Sequence, residues 1–169
     1  MAEEPEDYAD RHVARWRDHW IDIPFEDDVE MITTRCMRLV KHWGRASHAA
    51  LTELGLQDYE YETLHTLMIR DTPGSASPTR LAKDLDISGA GMTGRIDALE
   101  KAGWVQRRPS AEDRRRVEIE VTKAGLELWR RAMNGRGRAE VDVVHVLDAG
   151  ERATLAALLK KMTLSIEDQ

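Results

Sequence analysis

Apolar positions along the chain recur mostly at three- and four-residue intervals, the period of a helix with one buried face. Val13, Trp16 and Trp20 share one face of a short helix predicted over residues 8–22, which Pro24 ends. The longest periodic run covers 26–54. There Val29, Ile32, Cys36, Leu39, Val40, Trp43, Ala50, Leu51 and Leu54 form one stripe, and Gly55 is placed to stop it. A third helix is predicted from Asp58 to about Arg70, with Tyr61, Leu64, Leu67 and Met68 turned inward. The stretch DTPGSAS reads as a loop. Ser77 and Pro78 then suit the cap and first position of a short helix that buries Leu81 and Leu85. Ser88 caps the next helix, SGAGMTGRIDALEKAG, with Met92, Ile96 and Leu99 inward and Gly103 at its end.

After Gly103 the period changes. VEIEV at 117–121 alternates apolar and charged residues, the pattern of a half-buried strand, and it pairs naturally with an extended Val105–Arg108. Thr122 caps a helix reaching about Leu147. Asp148, with Glu151 three residues on, opens a last helix expected to bury Leu155, Leu158, Leu159 and Met162. The fold class is mainly α. The order helix, turn, helix, hairpin within 58–122 is that of a winged helix-turn-helix, whose second helix enters the major groove of DNA.

Charge sharpens this reading. The net charge is −6, yet residues 95–116 carry seven Lys/Arg against four Asp/Glu, while acidic residues dominate from Ala2 to Glu30. Partners respond to local fields more than to the total. The turn of the predicted wing holds Asp113, Arg114, Arg115 and Arg116, and Arg107 and Arg108 precede it. Arg115 is placed at the groove tip. Asp113 buttresses the loop through the Arg115 side chain, and the other arginines are phosphate contacts or structural partners. On the reading helix, Ser88, Gly89, Ala90 and Gly91 are small enough for the backbone to approach phosphate. Thr93 and Arg95 lie opposite the core stripe, with Arg95 the candidate for a bidentate guanine contact.

Other chemistries find little support. Cys36 is the only cysteine, so no disulfide forms within the chain; a reducing, cytoplasmic setting is expected, with Cys36 as a small buried hydrophobe. The acidic N-terminus is no signal peptide, and no run approaches the ~18 apolar residues of a membrane span. There is no nucleophile–base pair, no phosphate loop with its lysine and no metal-ligand spacing, so no enzyme and no cofactor is expected. His42 and His65, on the first and third long segments, are placed where they line a cleft.

The stretch LAKDLDISGAGMTGRIDALEKAGWVQRRPSAEDRRRVEIEVTKAG resembles the DNA-binding lobe of the MarR family of bacterial transcription regulators. The likeness lies in the "MT.RID.LEKAG" helix, the "EDRR" wing and the "VT..G" exit. Ser110 departs from the Asp that many relatives have after "RP". The resemblance implies a homodimer whose helical dimerisation lobe comes from both chain ends, 26–54 and 123–166. It would bind a pseudo-palindromic operator in double-stranded DNA, most often as a repressor. The extra helix at 8–22 resembles that of urate-responsive regulators, in which a Trp, an Asp and an Arg form a ligand pocket. Trp20 matches the Trp. Glu62 stands at the Asp position, and Ile69 at the Arg position with Arg70 beside it, so the pattern is partly kept. It implies a small anionic or aromatic effector rather than urate itself. A constitutive DNA binder without ligand and a winged-helix dimerisation scaffold are the rival readings.

Overall fold

The computed structural model describes residues 5–17, 26–70, 73–110, 113 and 115–167. Trp20, Pro24 and Arg114 lie outside the described residues. Among the latter are seven helices and three strands: α1 (Tyr8–Arg17), α2 (Asp27–Glu53), α3 (Asp58–Met68), β1 (Ser75–Ala76), α4 (Pro78–Asp84), α5 (Gly89–Lys101), β2 (Val105–Pro109), β3 (Val117–Val121), α6 (Lys123–Val144) and α7 (Ala149–Glu167). They fall into two compact units, Met1–Ala46 and Ser47–Gln169.

In the first unit, Asp7 starts α1 by accepting the Ala9 and Asp10 amides at 2.7 and 3.0 Å. Ala9 and Val13 are its buried residues. Polar pairs join α1 to α2: Arg35 grips Asp7 and Asp10, and His12 meets Glu30 at 3.1 Å. Cys36 is half-buried rather than fully buried, and Val29, Ile32, Leu39 and Val40 of the same stripe are exposed.

The second unit holds the core. Leu64 and Leu67 of α3, Leu81 of α4, Met92, Ile96 and Leu99 of α5, Val105 of β2 and Ile119 of β3 are all essentially inaccessible. Sequence and structure agree closely in the helices because each of these helical residues sits on the predicted inward face. Ser77 and Ser88 cap α4 and α5 through the amides of Arg80 and Gly91. The turn between these helices passes through Asp86, whose φ of 51° is left-handed. Such a conformation is rare outside Gly but is tolerated by Asp. Gly103 closes α5 with φ of 76°, while Trp104 returns its amide to Leu99.

Two findings differ from the sequence reading. A third strand, β1, lies inside the expected loop; it pairs antiparallel with β3 to give the order β1-β3-β2. And α7 buries nothing: Leu155, Leu158, Leu159 and Met162 are 40–56% exposed. Their spacing does form one apolar face, but none of the described residues covers it.

Candidate nucleic-acid interface

The N-terminal turn of α5 is the open end of the helix pair. Ser88, Gly89, Ala90, Gly91 and Thr93 are all exposed. Thr93 Oγ1 donates to the Gly89 carbonyl at 2.9 Å. The first amides of a helix have no intrahelical acceptor, and the helix dipole favours an anion there.

Arg95 is placed differently from a free base reader. Its guanidinium donates to Glu62 of α3 at 2.7 Å and lies 5.7 Å from the Tyr59 ring centroid. Glu62 and Arg95 are thus partners in the same unit, whereas the sequence reading assigned them to separate sites.

The wing is built from β2 and β3, in register from Val105↔Val121 to Pro109↔Val117. Ser110 is buried at its tip. It donates its amide to the Arg116 carbonyl at 2.8 Å and its hydroxyl to Glu118 at 3.4 Å. Asp113 does buttress the loop, but through other partners than expected. It accepts the Arg115 amide at 2.9 Å and pairs with the Arg116 side chain at 3.6 Å. Being held by its own main chain, Arg115 needs no side-chain anchor, and its guanidinium makes no ion pair among the described residues. Arg108 reaches Glu120 at 3.7 Å from an exposed position. Arg107 is a structural partner: its guanidinium meets Asp97 at 2.5 Å and also Glu100, and its amide donates to Glu100 at 3.0 Å. The hydrogen bond to Asp97 holds its pKa above the usual arginine value. This clamp ties the wing to the last turns of α5.

Of the residues assigned to a ligand, Glu62 and His65 are brought together in one hollow. Trp20 lies outside the described residues. Arg70 pairs with Asp84 of α4, fixing the end of α3 to the helix pair. His42 lines a hollow of the first unit. The hollow of Glu62 and His65, about 480 Å³, is also lined by Asp58, Tyr59, Tyr61 and Arg136. His65 sits between α3 and α6. Its ring stacks on Tyr61, and its Nδ1 accepts from Trp129 Nε1 at 3.2 Å. Burial first, and the positive charge of Arg136 second, push its pKa below 6.5. The unfolded chain therefore binds this proton more tightly than the folded one. The stability contributed by neutral His65 is complete above pH 6.5 and falls as pH drops towards the lowered value. Urea midpoints should decline over that acid window, and a His65→Gln variant should decline less; equal declines would remove His65 from the acid response.

A winged helix-turn-helix with an open helix N-terminus and a basic wing defines a class of DNA-reading proteins. The comparisons place the chain within it. The MarR family model matches residues 60–117. The HTH-type transcriptional regulator PecS of Dickeya dadantii is 31% identical over 150 residues, covering 89% of this chain and 89% of PecS. Among solved structures, YusO of Bacillus subtilis superposes with a TM-score of 0.71 at 17% identity, over 83% of this chain and 99% of that one. A MarR variant from Escherichia coli complexed with operator DNA gives 0.58 at 23% identity, over 83% and 99%. The chain belongs to the MarR family, and is a regulator of transcription, not an enzyme. Among the described residues, no helix is long and apolar enough to cross a membrane, and no group of three or more His, Cys, Asp or Glu could hold a metal.

Proposed function

We propose that the protein acts in the cytoplasm as a homodimeric repressor that binds a pseudo-palindromic operator and is released by a small anionic or aromatic ligand. The observation that carries the DNA-binding part is that one unit presents both the exposed, small-residue start of α5 and a wing with exposed Arg108, Arg115 and Arg116. In this reading α5 lies in the major groove, with Gly89, Ala90, Gly91 and Thr93 near the backbone and base edges. Arg115 enters the adjacent groove, while Arg107 and Asp113 keep the wing in shape. Arg95 joins the contact by exchanging Glu62 for DNA. Support also comes from the similar fold of the Escherichia coli MarR variant that was solved in complex with operator DNA. The ligand site is the hollow of Glu62 and His65. Glu62 connects that hollow to α5 through Arg95, so a ligand that engages Glu62 shifts the population of α5 positions.

The test is a selection of genomic fragments bound at ~150 mM salt, where non-specific binding is weak. A shared palindromic site supports the reading, and recovery without a shared motif removes it. On the recovered site, Arg115→Ala should make the salt dependence shallower by about one unit, since one released counterion is lost. Arg107→Ala should weaken binding with the slope unchanged. Equal slope changes in the two variants would mean that both arginines touch phosphate.

A further inference from the structure

We propose a second anion site, in the first unit, that binds the oxyanion head of a small phosphate- or carboxylate-bearing molecule. It is distinct from the hollow of Glu62 and His65 and does not depend on that reading. An open hollow of about 490 Å³ is lined by Asp7, Tyr8, Arg11, Arg35, Arg38 and His42. Its lining contains three guanidiniums and one carboxylate, and that carboxylate is fully committed. Asp7 Oδ1 accepts the Ala9 and Asp10 amides, and both of its oxygens meet Arg35, at 2.8 and 3.3 Å. Arg35 also reaches Asp10 at 2.7 Å, so its own charge is largely answered.

The excess rests on Arg11 and Arg38. Arg11 spends one Nη1 contact on the Glu6 carbonyl at 2.7 Å. Arg38 lies over the Tyr8 ring, 4.3 Å from its centroid, a contact that answers no N–H. Neither makes an ion pair among the described residues. Two guanidiniums without an ion-pair partner among the described residues, one of them over an aromatic ring, offer the planar fork that binds carboxylate or phosphate through paired N–H groups. His42, at the same rim, offers a further donor. Among the described residues, Asp7 of the lining and its neighbour Asp10 are already occupied by Arg35 and by the start of α1, so an incoming anion need not displace those pairs.

Calorimetric titration of the full chain with inorganic phosphate, and separately with acetate, tests this. Saturable one-to-one binding of either probe is expected, and the probe that binds identifies the head group. Combining Arg11→Ala with Arg38→Ala should weaken it about tenfold or more. The docking of α1 should survive in that variant, because Arg35 keeps both aspartates, and an unchanged far-ultraviolet dichroism spectrum would check this. Arg115→Ala and Glu62→Gln should leave the binding as it is. No saturable binding by either probe, binding that survives the double substitution, or binding lost with Arg115→Ala or Glu62→Gln would each overturn the site.

Discussion

Gly125→Ala is expected to destabilise the protein by about 3 kcal/mol or more, enough to unfold much of a marginally stable domain. A Cβ at this position would stand 2.0 Å from the Trp104 carbonyl oxygen and 2.9 Å from its carbon. Both are main-chain atoms, and neither is free to yield. Trp104 O already accepts the Thr122 amide at 3.0 Å, and Thr122 caps α6 by accepting the Gly125 amide at 3.1 Å while donating to Gly103 at 2.7 Å. The end of α5, the root of the wing and the start of α6 thus meet at one crowded point. Urea unfolding should show a large fall in midpoint at similar slope. Gly137→Ala in the same helix is the control. Its Cβ would meet nothing within 4 Å, so that variant should gain up to about 1 kcal/mol in helix propensity. Equal effects at the two positions would deny the close approach at Trp104.

The second large effect concerns assembly. Replacing both Leu158 and Leu159 by Glu should give a folded monomer with about a hundredfold or greater loss of operator affinity. Leu155, Leu158, Leu159, Met162 and Ile166 line one face of α7, all between 40 and 70% exposed. None belongs to the core cluster of the second unit, so the substitutions remove nothing that holds one chain together. In the proposed dimer the two reading units are linked, and linkage makes the second half-site contact intramolecular, typically worth 10²–10⁴-fold. Sedimentation equilibrium and operator titration check both parts. A variant that remains dimeric with full affinity would place the assembly face elsewhere.

This same face shows where sequence reading stops. The period of α7 was legible, and its capping box forms as expected between Asp148 and Glu151 at 2.8 and 2.9 Å. Period reports which residues share a face, not what covers them. The helix-turn-helix was legible almost to the residue because its signals are local: capping serines, a stopping glycine, inward leucines. β1 was not. Two residues in a Gly/Pro/Ser stretch carry no period, and they become a strand only because Glu120 and Ile119 lie opposite them. The Glu62–Arg95 pair spans 33 positions, and no spacing rule connects them. Asp113 meets the Arg115 amide and the Arg116 side chain instead of the expected Arg115 side chain, since a side chain two residues away is reached less easily than that residue's amide.

The clamp of Arg107 on Asp97 and Glu100 has a consequence for how operators can vary. It fuses helix and wing into one stiff tooth, so the footprint of a single tooth on DNA cannot stretch. Substituting one base pair under a tooth costs about 1–3 kcal/mol and can be offset elsewhere in the site. Inserting one base pair between two teeth turns the second half-site by about 35° around the duplex axis, and a stiff tooth cannot follow it. In the proposed dimer, two such teeth would measure spacing more strictly than they read letters. Its target sites should therefore drift in sequence while keeping their length.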